Sequence, residues 1–204
     1  MASTYRTWAD GDAFTAADAG TYFMRQVTIS VDNQTDRDAI LTPQEGMQVY
    51  REDTDAIEIY DGSAWLTYDT KWQTYTPTLT NLTLGSGTVI AKYFTQGKKI
   101  SVEWMFTLAS GSEVGTNPEI SLPVSRAASG YGVDFADMLD GVGAIVDSGA
   151  ATYPLFITSS TTKFRIYAMN TGGAAGFLTP TTATNPLTFG SADTLSARFS
   201  YIAA

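Results

Sequence analysis

The run KKISVEWMFTLA, from Lys98 to Ala109, constrains the fold more than any other stretch of this chain. Ile100, Val102, Trp104, Phe106 and Leu108 take every second place, and Ser101, Glu103 and Thr107 lie between them. A strand sends successive side chains to opposite faces, so a period of two writes a β-strand with one core face and one largely polar face. The same grammar recurs. TVIAKYFT sets Val89, Ala91 and Tyr93 against Ile90, Lys92 and Phe94, and TKFRIYAM sets Phe164, Ile166 and Ala168 against Lys163, Arg165 and Tyr167. TLSARFSYIA alternates through Leu195, Ala197, Phe199 and Tyr201, while EISLPV and TYPLFIT add further strands. Strands this dense, separated by Gly, Pro, Ser, Thr and Asn, predict that residues 72–204 form a β-sandwich or jelly-roll head.

Residues 27–71 read as a thinner β-meander connector. VTISVD places Val27, Ile29 and Val31 on one face, and the polar NQTDRD follows as a connection. In the next stretch Met47, Val49 and Arg51 lead into the turn-forming run Glu52-Asp53-Thr54-Asp55. Beyond it Ile57 and Ile59 share one face and Glu58 and Tyr60 the other, before the hairpin dipeptide Asp61-Gly62 and a third strand opened by Trp65 and Tyr68. Two or three short strands cannot bury an apolar face alone. The connector is therefore expected to associate with other copies, with Met47, Val49, Ile57, Ile59 and Trp65 as the candidate oligomer interface. The acids are expected in turns and on the solvent side, with Glu58 and Glu103 on exposed strand faces.

Residues 1–26 have no period-two run, yet they carry Trp8, Phe14, Tyr22, Phe23 and Met24 within little length. Thr15-Ala16-Ala17-Asp18 has capping-box spacing and marks a short helix, which Gly20 weakens. Such a helix is marginal alone, being near or below the roughly 12 to 15 residues needed in water. Its aromatics need a surface, either that of another protein or this chain's own body.

Composition removes whole classes of chemistry. With no cysteine and no histidine in 204 residues, disulfides, thiolate metal sites and the commonest general base are all excluded. No cofactor or metal is expected. A formal net charge of −9 opposes nucleic-acid binding, and the pair Lys98-Lys99 beside a strand reads as a turn solubiliser. The sequence has no apolar run long enough to span a bilayer and no secretion signal, so the sequons at Asn33 and Asn81 read as chance matches. Thr171-Gly172-Gly173-Ala174-Ala175-Gly176 lacks the Lys-Ser or Lys-Thr of a phosphate loop and reads as a loop between strands. Asp134, Asp137 and Asp140 match no calcium-loop spacing. A glycosidase needs two carboxyls about 5 to 9.5 Å apart. Asp53, Asp55, Glu58, Asp61 and Glu103 are the candidates, but the alternation puts Glu58 and Glu103 on exposed strand faces, and the others sit in turns with no apolar neighbours to raise a pKa.

Taken in order, FTAADAGTYFMRQ, RDAILTPQEGMQVYREDTDAIEIYDGSAW, YTPTLTN, GTVIAKYFTQGKKISVEW and SLPV resemble the small fibre-like virion proteins, often called minor tail proteins, of bacteriophages that infect actinobacteria. The arrangement of Arg37, Pro43, Gly46, Met47, Tyr50, Asp53, Tyr60, Asp61, Gly62 and Trp65 is its more specific part. The resemblance implies an N-terminal virion-attachment segment, a slender connector and a β head, usually assembled as a homotrimer. The expectation is therefore a non-enzymatic protein of the virion, assembled in the host cytoplasm. It would be held on phage tail or capsid proteins by residues 1–26, through Trp8, Phe14, Tyr22, Phe23 and Met24, and would display a head for a host surface glycan. Two rivals stand beside it. One is a capsid decoration or head-fibre protein without a receptor role, favoured by the lack of shaft repeats; the other is a cell-wall carbohydrate-active enzyme.

Overall fold

The computed structural model describes Ala13, Thr15 and residues 28–127, 141–169 and 178–204. The N-terminal residues Trp8, Phe14, Tyr22, Phe23 and Met24, residues 16–18 of the helix expected from Thr15, the acids at 134, 137 and 140, and the glycine-rich stretch 171–176 lie outside the described residues. What is described is mainly β with one short helix, none of it a helix able to cross a membrane. The chain divides into two compact units, residues 1–71 and 72–204.

The first unit orders four strands: β1 (Thr28–Val31), β2 (Gln48–Arg51), β3 (Ala56–Tyr60) and β4 (Trp65–Asp69). β1 runs parallel to β2, and parallel neighbours require a crossover. Here the crossover carries a helix, α1 (Gln34–Asp38), in the segment that reads as a plain polar connection. Asn33 starts it, its side-chain oxygen accepting from the backbone N–H groups of Thr35 and Asp36 at 2.8 and 3.2 Å. β2, β3 and β4 then form an antiparallel meander. Its second turn is held by Asp61, whose Oδ1 accepts from the N–H groups of Ser63 and Ala64, while Gly62 takes the positive φ of +95°.

The second unit contains β5 (Gln73–Thr74), β6 (Leu79–Thr83), β7 (Thr88–Gln96), β8 (Lys99–Thr107) and β9 (Glu113–Ser121). After them come β10 (Gly141–Asp147), β11 (Ala151–Ser159), β12 (Lys163–Met169), β13 (Leu178–Pro180) and β14 (Thr194–Ile202). They pair along one open path, β7-β8-β14-β10-β11-β12-β9-β6, with β5 beside β7 and β13 beside β12. The described ladders of this unit are antiparallel, and three of them, β7-β8, β10-β11 and β11-β12, are hairpins of consecutive strands on this path. Two strands pair out of sequence order: β14 lies between β8 and β10, and β9 between β12 and β6.

Burial follows the alternation. Ile100, Val102, Trp104, Phe106 and Leu108 are buried, as are Phe164, Ile166, Ala168, Leu195, Ala197, Phe199 and Tyr201. Rings from three strands meet: Phe164 of β12 lies 5.7 Å from Trp104 of β8 and 4.8 Å from Phe199 of β14, in tilted or edge-on geometry. Between β14 and β10 the backbones approach so closely that a Cβ at Gly143 would fall 1.8 Å from the Ser196 carbonyl oxygen. On β9 and β12 the register sets Glu119 opposite Arg165, and the carboxylate accepts from Lys163 at 2.7 Å and Arg165 at 2.8 Å. Those two cations hold the Glu119 carboxyl below its ordinary value.

Two outcomes follow for stability. Phe164→Ala leaves a cavity between the Trp104 and Phe199 rings and is expected to cost about 3 to 5 kcal/mol in a denaturant titration of the full chain. Glu119 has a depressed pKa in the folded state, so its contribution is present above the ordinary value near 4.5 and is lost as pH falls through the lower, folded value. Below that point Glu119→Gln should match the wild type in stability, whereas at neutral pH it should be the weaker of the two.

Candidate functional site

The sequence reading places Glu58 on a solvent-exposed strand face, and the structure overturns this: its side chain is 1% exposed. The reason is turn parity. Residues 52–55 form the first turn, so Arg51 pairs with Ala56 and Val49 with Glu58. Facing residues of an antiparallel pair share a side of the sheet. The inner run therefore passes from odd numbers on β2 to even numbers on β3. The second turn, residues 61–64, pairs Tyr60 with Trp65 and Glu58 with Thr67, returning the inner run to odd numbers on β4.

A buried carboxylate is tolerable only when its charge is matched. Arg37 reaches Glu58 from α1 at 2.6 Å, Arg51 reaches it from β2 at 3.0 Å, and the Thr67 hydroxyl donates from β4 at 3.3 Å. Each arginine is also shared with a surface acid, Asp38 for Arg37 and Asp53 for Arg51, both at 2.7 Å. Burial works against the charge of Arg37, but the hydrogen bonds and charges of Glu58 and Asp38 outweigh it and hold its pKa above the ordinary value. Arg51 is likewise raised, first by its hydrogen bond to Asp53. The Arg37 guanidinium lies 5.9 Å from the ring centre of Trp65, which packs 5.3 Å from Tyr60. Helix, meander and aromatic pair are thus tied to one carboxylate.

The other catalytic candidates are engaged as well. Asp53 is held below its ordinary pKa by Arg51, and Asp55 by Lys71 and by the Tyr50 hydroxyl, which donates to it at 2.9 Å. A general acid needs the opposite shift. Asp61 caps its own turn. Glu103 sits in the second unit, on the outer face of β8, paired with Arg198. Among the described residues no three acidic side chains cluster closely enough to hold a metal ion.

The opposite side of the small sheet is different in kind. Its cross-strand rows are Ser30, Tyr50, Ile57 and Tyr68, and beside them Thr28, Gln48, Ile59 and Leu66. None of these eight side chains is buried and none carries a charge. The proposed interface residues divide between the two sides. Ile57 and Ile59 lie on this open face, Met47 and Val49 are buried within the unit, and Trp65 belongs to the side of Glu58. Tyr50, Leu66 and Tyr68 complete the open face and escaped the sequence reading; counting the residues in each turn identifies them.

No protein-family model, no curated protein and no solved structure matches this chain.

Glu58→Gln leaves two guanidinium groups without their shared anion, and is expected to cost about 3 to 5 kcal/mol in the unfolding of the first unit. Near-ultraviolet circular dichroism should report it through Trp65. A loss below about 1 kcal/mol would mean that the cluster is no better than an exposed ion pair.

Proposed function

We propose that this chain is a non-enzymatic structural protein of a bacteriophage virion, a short fibre or minor tail protein assembled as a homotrimer. The observation that carries this reading is the open face of the small sheet. On a chain of formal net charge −9, a face whose own eight side chains are uncharged and part apolar, with carboxylates only where Ser30 donates to Glu52 at 2.6 Å and Tyr50 to Asp55 at 2.9 Å, is where copies can meet with little like-charge repulsion. Tyr50, Ile57, Ile59, Leu66 and Tyr68 are the contact residues of that face.

The resemblance to actinobacteriophage virion proteins supports the same reading at the level of architecture. Of the residues that carry it, Arg37, Tyr60 and Trp65 build the surroundings of Glu58, Asp53 shares Arg51, Asp61 and Gly62 form the second turn, and Gly46 takes a φ of +86°. The pattern thus consists largely of what this unit needs in order to fold. In the second unit, contacts of Phe164 with Trp104 and Phe199 support closure of the strand path into a β-sandwich head. Carboxylates held by cations or by their own turns support a binding role over catalysis. Residues 1–26, with Trp8, Phe14, Tyr22, Phe23 and Met24, are the proposed attachment to tail or capsid proteins, and the head is the part presented to a host surface glycan.

Light scattering of the full chain should give a trimeric mass. Ile57→Asp combined with Ile59→Asp should give a folded monomer, because both changes fall on the open face. A wild-type monomer at micromolar concentration overturns the assembly. Immunogold labelling of intact particles places the protein on tail or capsid, and absence of label from both overturns the virion reading. Removing residues 1–26 should deplete the protein from particles while leaving it β-rich.

A further inference from the structure

The outer face of the second unit carries chemistry that neither folding nor the small sheet uses. Across β7, β8 and β14 one row aligns Lys92, Glu103 and Arg198. The next aligns Phe94, Ser101 and Ser200. Trp72, 41% exposed, packs its ring 5.8 Å from that of Phe94 at an interplanar angle of 46°. Between Trp72 and the Ser101, Arg198 and Ser200 side lies a concavity of about 410 Å³. It adjoins a second of about 460 Å³ over Lys92 and Glu103, walled by the exposed Ile90, Met105 and Val142, and Arg198 lines both. These volumes fall within the range of small-molecule sites, about 300 to 1,000 Å³.

The lining selects among occupants. A second protein copy seated here would remove Lys92, Glu103 and Arg198 from water together with a single ion pair among them, Glu103 with Arg198, leaving the Lys92 ammonium unmatched. Nucleic acid would meet Glu103 and a chain of net charge −9. A pyranose ring suits every element. It has a C–H face to lie on an exposed indole and a rim of hydroxyls that both donate and accept. The Arg198 guanidinium donates to such a rim, the Glu103 carboxylate accepts, and the serine hydroxyls do both. Ser101 and Ser200 are also short enough to leave room above the sheet.

We propose that this surface is a carbohydrate-binding site, in which a pyranose stacks on Trp72 and its hydroxyls are read by Arg198, Glu103, Ser101 and Ser200. The inference deepens the proposed function by giving the head a ligand site, and it rests on that reading only for the origin of the sugar, a host surface glycan.

The test uses the full chain and saturation-transfer NMR with the methyl pyranosides of glucose, galactose, mannose, rhamnose and N-acetylglucosamine. Transfer to the ring C–H protons of at least one is expected. Trp72→Ala and Arg198→Ala should each weaken that binding about tenfold or more, the scale of a lost aromatic or charge-assisted contact, with oligomeric mass unchanged. The Arg198 side chain is 78% exposed, so its replacement leaves the core intact. No transfer from any of the five at millimolar concentration, or binding that both variants leave unchanged, overturns the site. A change of oligomeric mass in Trp72→Ala also overturns it, because the face is then covered by another copy. If the protein labels virions and binds no sugar, the site falls and the fibre reading stands; if it binds sugar through Trp72 but is absent from virions, the reverse holds.

Discussion

In an antiparallel ladder two facing residues share a side of the sheet, and the position of each turn decides which residues those are. In this chain that constraint settles where charge goes. Moving the first meander turn by one residue would bring Ile57 inward and Glu58 outward. Arg37 would then lose its 2.6 Å partner, and α1 its tie to the sheet. The identity of the open face depends on the same count, since Tyr50, Ile57 and Tyr68 share it only through the observed registers.

The buried carboxylate explains why such a thin unit has a defined inside. Among the described residues its buried apolar side chains are Val31, Met47, Val49 and Ala56, too small a set to fix one packing. Hydrogen bonds to a charge are directional, and Glu58 takes them from α1, β2 and β4. Breaking any one exposes a charge to an environment that cannot solvate it. Specific geometry thus replaces bulk. The second unit does the reverse, relying on a large aromatic and aliphatic core and keeping its ion pairs toward the outside.

What could be read from the sequence follows this division. The long strands of the second unit were legible because each buries one face over many residues, so that Ile100 to Leu108 or Leu195 to Tyr201 declare themselves by alternation alone. The meander was legible as strands and turns but not as faces. Its strands are four or five residues long, and hydrophobicity assigns Ile57 to the inside where pairing assigns Glu58. The crossover helix was missed because QTDRD is short and wholly polar, and is held by the Asn33 cap and by Arg37 rather than by an apolar stripe. The groove on the outer face was hidden for a different reason. Trp72, Lys92, Glu103 and Arg198 are far apart in sequence, and only the strand order brings them together.

That strand order also bears on synthesis. β14 pairs with β8 on one side and β10 on the other, so it fills the gap between hairpins made much earlier on the ribosome. Until residues 194–202 emerge, β8 and β10 each present an unpaired edge and the core lacks Leu195, Phe199 and Tyr201. Closure of the second unit therefore waits for β14, and a chain broken off before it cannot close the unit. A truncated polypeptide therefore keeps its sticky edges and stays open to proteolysis, while a chain with the strand in place covers them.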